Sequence, residues 1–231
     1  MLGAILNRNS NTIEAVPAAS LRKGCDDQFH SVDGSSVRWY RGAQDDVVRW
    51  YRDTREGKAY VPTMIWGTLQ TEAYATVILG QVVEFLGIPN DVPAGVAKRM
   101  QRQEVLYDGE HHYDVVLGEQ ALYTNIGGPE VMRQQIERLV RELGLSSLTL
   151  GILPSTARVD LFPVHGFNIY GADERAHVEL VSSSVDITEQ GELDLYSKAF
   201  ATLSGAASYG NAAKELLKKA HAFWTDAPSQ E

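Results

Sequence analysis

A glycine pair followed by a strongly amphipathic stretch constrains the fold of this sequence more than any other feature. Gly127 and Gly128 leave the backbone free to turn, and Pro129 stands where a helix accommodates proline as its first residue. Apolar residues then recur at helical spacing, and they are Met132, Ile136, Leu139, Val140 and Leu143. The pattern predicts a helix that ends at Gly144 and lays one apolar face on a sheet.

Short apolar runs on both sides of this helix predict the strands of that sheet. They are 112–117, 148–153, 166–170 and one or two strands within 176–187. Helices are predicted to begin at Thr71–Glu72 and at Asp91, and two more fill the C-terminal third. This order favours an α+β fold, with a mixed or antiparallel sheet of four to five strands packed by helices, over a repeating βαβ fold.

The organisation of the chain follows from where periodicity is present. Residues 1–36 are polar and show no sustained pattern, which predicts a flexible N-terminal arm. Residues 37–225 form a single predicted α+β domain of the ligand- or partner-binding type, and 226–231 are a predicted frayed tail. With 231 residues, of which 44% are hydrophobic, the chain can bury a sizeable core.

Composition excludes several classes of function. A net charge of −9 argues against nucleic-acid binding by this chain alone, and no apolar run approaches the roughly 20 residues of a membrane span. A single cysteine, Cys25, excludes an internal disulfide and a cysteine-based zinc site, and it fits a reducing, cytoplasmic setting. The common nucleotide-, metal- and dinucleotide-binding signatures are absent, so neither a metal nor a cofactor is expected.

A short internal repeat places aromatic residues on one side of a predicted helix over 37–55. The segment VRWYR occurs at 37–41 and again at 48–52, an offset close to three helical turns, so Trp39 and Trp50 face the same way. One interpretation is a stacking wall for a planar ligand or a face for a protein partner. The other is a helix docked by its aromatic side, with the flanking arginines extended along its surface.

Candidate chemical groups follow from spacing. Arg99 and Gln103 are neighbours on one predicted helix, and Glu119 stands at a strand end, where Arg99 would orient it as an acid–base group. His112 and Asp114 alternate onto one strand face, which predicts a histidine–carboxylate pair or two metal ligands without a third. His177, near a strand end, is expected to be exposed to solvent.

Four motifs in a fixed order point to a family. They are WGTLQTEAYA at 66–75, VAKRMQRQEVL at 96–106, VLGEQALYTNIGGPEVMRQQIERL at 116–139 and LTLGILP at 148–154. Over residues 37–222 the chain resembles the actinobacterial domain of unknown function that usually sits C-terminal to an XRE-type helix-turn-helix DNA-binding domain. It departs from that pattern at Trp66, where the family usually has proline, and residues 1–36 do not match the helix-turn-helix. The positions carried over are Gln70, Thr71, Arg99, Arg102, Gln103 and Glu119.

The resemblance implies a small-molecule- or partner-binding domain of the sensor type, without its DNA-binding half and linked to secondary metabolism or its regulation. The expected ligand is a small hydrophobic or aromatic metabolite, and a protein partner is the other option. The predicted ligand-binding residues are Trp39, Trp50, Trp66, Gln70, Thr71, Arg102 and Gln103. The alternative is a cofactor-independent tailoring enzyme of the cyclase type that uses the same pocket, with Glu119 and Arg99 as its catalytic residues. A third reading is an interaction subunit that docks through the helix over 37–52.

Overall fold

The computed structural model describes residues 4–6, 13–15, 49–162, 164–181 and 184–228. It divides the chain into two compact units, Met1–Ser35 and Ser36–Glu231. In the first unit, β1 (Ala4–Leu6) and β2 (Ile13–Ala15) form an antiparallel pair within the segment predicted as an arm. Trp39, the first copy of the repeated segment and residues 229–231 of the predicted tail lie outside the described residues.

The second unit is built on one mixed sheet of six strands, in the order β5-β4-β3-β6-β7-β8. The strands β3, β4 and β5 are mutually parallel, and β6, β7 and β8 continue the sheet antiparallel. Their bounds are β3 Glu56–Val61, β4 His112–Gly118, β5 Leu148–Leu153, β6 Phe167–Tyr170, β7 Arg175–Glu179 and β8 Ser184–Ile187. The α+β prediction is confirmed, but its strand number is wrong, since the sheet has six strands rather than four to five.

The missed strand is β3, which lies at the centre of the sheet. Its segment EGKAYV begins with three residues that are uncommon in strands, so the sequence lacks a clear alternating pattern. Tertiary contacts explain these residues. Gly57 lies against the ring of Tyr113, and the Nζ atom of Lys58 donates to Oδ1 of Asp173 at 2.8 Å. Packing and an ion pair therefore override a weak local preference for strand.

Helices cover both faces of the sheet and one end. The bounds are α1 (helical residues 49–53), α2 Glu72–Leu86, α3 Val92–Arg102, α4 Gly128–Glu142, α5 Gln190–Ala206 and α6 Gly210–Asp226. The predicted start of α2 is confirmed, because Oγ1 of Thr71 accepts the N–H of Tyr74 at 3.2 Å. The predicted start of α4 is also confirmed, and Gly127 before it has a φ of 77°.

Alternating residues of the strands divide the core into two layers. Ala59 and Val115 face a cluster that includes Met132 and Ile136 of α4 and Leu217 of α6. On the opposite face, a second cluster includes Leu193, Phe200 and Leu203 of α5. A smaller cluster joins α2 to α3. Within the described ranges, no helix combines the length and the apolar character that a bilayer span requires.

Gly118, the last residue of β4, provides a test of the close packing at the end of the sheet. A Cβ atom at this position would come within 3.0 Å of the carbonyl carbon and Cα of Pro62. We therefore expect Gly118→Ala to lower the free energy of unfolding by about 1–3 kcal/mol, as overpacking does. Chemical denaturation measures this change.

The matched control is Gly80→Ala in the interior of α2, where no atom lies within 4 Å of the added Cβ. This change is expected to raise the free energy of unfolding by about 0.5–1 kcal/mol, because alanine favours the helix. Equal effects of the two substitutions would contradict the contact with Pro62.

Candidate functional site

A cavity of about 740 Å³ opens beside β6 and β7. The segment 61–67 and the helices α2 and α3 line its other sides. Three rings, those of Tyr51, Trp66 and Tyr170, contribute to the wall near the sheet. Aliphatic and aromatic side chains of α2 contribute another wall, and they are Ile78, Leu79, Val82, Phe85 and Leu86. The volume is that of a pocket for a small organic molecule.

The strand register brings a row of polar side chains to the cavity side of the sheet. Ala59 is paired with Asn168, Asn168 with His177, and His177 with Asp186 across four neighbouring strands. Paired residues project to the same face, which here is the face that Ala59 shares with the first core cluster. Asn168 and His177 line the cavity, so a polar strip crosses an otherwise apolar layer.

His177 and Asp186 form a hydrogen-bonded pair at this strip. The Nδ1 atom of His177 lies 2.7 Å from Oδ1 of Asp186, and Nη1 of Arg175 lies 3.1 Å from Oδ2. Burial raises the pKa of Asp186, but the hydrogen bond from His177 and the charge of Arg175 outweigh it, so the pKa lies below its ordinary value. Nδ1–H of His177 donates to the carboxylate, and the other ring nitrogen, Nε2, makes no hydrogen bond with any described residue.

Trp50, predicted as part of a ligand wall, packs behind this pair. Its ring centroid lies 5.2 Å from that of His177 and 5.4 Å from that of Tyr170. The guanidinium carbon of Arg175 lies 4.9 Å from the centroid of the Trp50 ring. Trp50 therefore contacts two lining residues without lining the cavity itself. Trp66 does line it, and its Nε1 donates to Oδ1 of Asn168 at 3.0 Å.

The structure brings together three predicted site residues in one hydrogen-bond network around Gln70. The amide of Gln70 donates to the carbonyl of Ile65 at 2.7 Å and accepts from Nη1 of Arg99 at 2.6 Å. Its backbone carbonyl accepts from Gln103 at 2.7 Å and from Arg138 at 3.1 Å. Gln70 and Arg99 also line the cavity. The network fixes segment 65–70 to α3 and α4.

Thr71 and Arg102 have different surroundings. Thr71 caps α2, and its N–H donates to Oε1 of Gln135 at 2.7 Å. Neither Thr71 nor Gln103 lines the cavity. Arg102 does line it, and its guanidinium lies 5.0 Å from the centroid of the Tyr51 ring.

The structure does not bring Glu119 to the cavity. Its Oε2 accepts the N–H of Ser155 at 2.7 Å, so it joins the end of β4 to the segment after β5. Arg99 binds Gln70 instead of this carboxylate. On the same strand the predicted His112–Asp114 pair is present at 3.4 Å. No group of three metal-ligating side chains occurs among the residues that the structure describes.

Sequence reasoning missed His177 and Asp186 as a pair. The expectation that His177 is exposed is wrong, since only 4% of it is accessible. The sequence of β7 does contain a signal for the strand face of His177. Polar Arg175, His177 and Glu179 alternate with apolar residues. The partner in β8 depends on strand register, which the local pattern does not specify.

One comparison with known proteins identifies the family. A family model described as a domain of unknown function, DUF5753, matches residues 45–219. The chain belongs to this family. The DUF5753 match contains every residue that lines the cavity and all six strands of the main sheet. It lies within the range 37–222 over which the resemblance was expected. No curated protein sequence matches the chain.

The network around Gln70 predicts a structural effect of its removal. Gln70→Ala leaves the buried carbonyl of Ile65 and the Arg99 guanidinium without their bonds to this side chain. We expect the free energy of unfolding to fall by about 2–3 kcal/mol. Gln101→Ala, at an exposed position of α3, should change it by no more than about 0.5 kcal/mol. A similarly small effect for Gln70→Ala, in chemical denaturation, would show that the network does not hold the segment.

The Asp186 carboxylate predicts a stability that depends on pH. Because its folded pKa lies below the ordinary 3.8, the ionised form stabilises the fold fully above that pH, and the effect is lost as pH falls through the folded pKa. Asp186→Asn should lower the free energy of unfolding by about 1–3 kcal/mol at neutral pH, and the difference from the wild type should shrink in acid.

Asp160→Asn is the control, since Asp160 is highly exposed and pairs with exposed Arg158 at 3.6 Å. Its effect should stay within about 0.5 kcal/mol. Denaturation at pH values from neutral to 3 compares the two variants. A difference for Asp186→Asn that stays constant over this range would contradict the lowered pKa.

Proposed function

We propose that this domain is a small-molecule-binding module of the sensor type, whose ligand is a small apolar or aromatic metabolite. The observation that carries the proposal is the composition of the cavity walls. Rings from Tyr51, Trp66 and Tyr170 and the apolar side chains of α2 line the cavity together with polar groups that include Asn168 and His177. Mostly apolar pockets with few convergent polar groups are typical of ligand sites.

The rim of the cavity supports the same function. Four lining residues, Met64, Phe85, Leu180 and Val181, are exposed large hydrophobic side chains, with Phe85 77% and Val181 75% accessible. Exposed large apolar side chains at the lining of a cavity support a binding site there. An apolar molecule that enters the cavity would remove part of this rim from water, which is favourable by about 25 cal/mol per Å².

The biological setting is proposed from the resemblance. Domains of this kind in actinobacteria accompany XRE-type DNA-binding domains, so we infer a role in sensing a product of secondary metabolism, such as an antibiotic or its precursor. The single cysteine, Cys25, supports a cytoplasmic setting. A protein partner at the apolar rim is the other binding function that the resemblance implies.

A second candidate function is cofactor-independent acid–base catalysis in the same cavity, and the His177–Asp186 pair favours it. The Nε2 atom of His177 would take a proton from a bound substrate and return it after bond rearrangement, as a cyclisation requires. Asp186, 2.7 Å from Nδ1, would stabilise the imidazolium. In this mechanism His177 takes the acid–base role that the sequence pattern predicts for Glu119.

Binding of the neutral dye N-phenyl-1-naphthylamine tests the proposed cavity. The dye should bind the wild type with enhanced fluorescence, and Val82→Trp, which fills the cavity from α2, should weaken binding by about tenfold or more, equivalent to about 1.4 kcal/mol. Glu84→Trp adds the same ring at an exposed position outside the lining and should leave the affinity unchanged. Failure of the wild type to bind the dye, or equal losses in both variants, would contradict a ligand site here.

Extraction of small molecules from protein purified out of its own host then separates the two functions. A metabolite recovered unchanged after incubation with the protein supports the sensor. Conversion of its precursor that stops in His177→Gln supports the enzyme.

A further inference from the structure

Arg102 is a buried cation to which no described residue supplies an ion-pair partner. Only 8% of the residue is accessible, and no described residue forms a hydrogen bond or an ion pair with its guanidinium. Its Nε is buried without a partner. Arg138 provides the contrast, because it lies 3.8 Å from the carboxylate of Glu142 and donates to the carbonyl of Gln70.

Burial of the Arg102 charge is unfavourable unless other groups compensate the hydration that it loses. A buried lysine or carboxyl group can become neutral, but the guanidinium keeps its proton at any pH that a folded protein experiences. The ring of Tyr51, 5.0 Å from the guanidinium carbon, compensates part of the loss of hydration. An anion with hydrogen-bond acceptors would supply both the charge and the hydrogen bonds that the described residues do not.

The surrounding residues leave room for the guanidinium and offer a second donor. Any Cβ at Gly67 would collide with Nη2 of Arg102, so this glycine is required for the side chain to lie where it does. Asn168 also lines the cavity. Its Oδ1 accepts from Trp66, and its NH₂ group donates to no described residue, so this group can donate to a ligand.

The other charged groups of the lining do not neutralise Arg102. Arg99 adds a second cation, held by Gln70 at 2.6 Å. Glu179 is the carboxylate of the lining, but it is exposed and makes no ion pair with Arg102 among the described residues. Among the described residues, the lining therefore offers a ligand the guanidinium of Arg102 and the NH₂ donor of Asn168.

We propose that the ligand of this cavity is a carboxylate, whose apolar or aromatic body lies against α2 and whose anionic group binds Arg102. The planar guanidinium matches a carboxylate with two parallel hydrogen bonds. One uncompensated guanidinium in an apolar cavity suits a singly charged anion better than a phosphate. This inference rests on the proposed small-molecule site and adds the charge of its ligand.

A matched pair of probes tests the anionic group. The carboxylate 2-naphthoate and its neutral amide, 2-naphthamide, share one aromatic body, and titration calorimetry measures the affinity of each. The wild type should bind the carboxylate about tenfold or more tightly, a difference of about 1.4 kcal/mol. Arg102→Met should abolish this preference and leave binding of the amide unchanged.

Two further variants complete the test. Arg102→Lys keeps the charge but loses the planar guanidinium, so it should retain a reduced preference for the carboxylate. If Arg102→Met does not fold, Arg102→Lys replaces it in the test. Arg141→Met, at an exposed position of α4, removes a distant charge and should leave the preference intact.

The outcomes distinguish the two proposals. Binding of both probes with equal affinity would overturn the carboxylate and leave the apolar cavity as a binding site. A preference that survives in Arg102→Met would overturn the assignment to this residue. Binding of neither probe, together with failure of the neutral dye to bind, would overturn the site itself.

Discussion

The hydrogen bonds around Gln70 are the interaction on which the arrangement of this domain depends. Gln70 lies just before Thr71, the cap of α2. It forms hydrogen bonds with Ile65, Arg99, Gln103 and Arg138. These partners belong to three separate parts of the chain. The network therefore holds segment 65–70 against α3 and α4 beside the cavity.

The apolar wall and the polar wall of the cavity come from different parts of the structure. Its apolar wall comes from α2, whose helical spacing supplies one face. Its polar wall comes from alternation along antiparallel strands, which places Asn168 and His177 side by side with Asp186 next to them. An amphipathic ligand meets both chemistries at once, and the buried polar groups limit which ligands fit, since an unpaired partner costs free energy.

Local sequence signals predicted the features that depend on local structure. The Gly127–Gly128 turn, the apolar face of α4 and the Thr71 cap were all expected and are present, because caps and helical spacing act within a few residues. The strand β3 and the His177–Asp186 pair were not expected. Both depend on partners far along the chain, whose register is determined by tertiary packing. Arg99 and Gln103 were predicted from helical spacing and, with Gln70, from the resemblance. Only their contacts in the structure show that these three residues hold segment 65–70 in place, whereas Arg102 makes no hydrogen bond with a described residue.

The position of β8 at the margin of the sheet has a kinetic consequence. Asp186 reaches His177 only while this four-residue strand is paired with β7, and β7 is its one neighbour in the sheet. Marginal strands open by local fluctuation more readily than central ones, at a free energy far below that of global unfolding. Each such opening breaks the bond between the imidazole and its carboxylate and leaves the rest of the core intact. The contact between the imidazole and its carboxylate therefore depends on the backbone hydrogen bonds that pair β8 with β7.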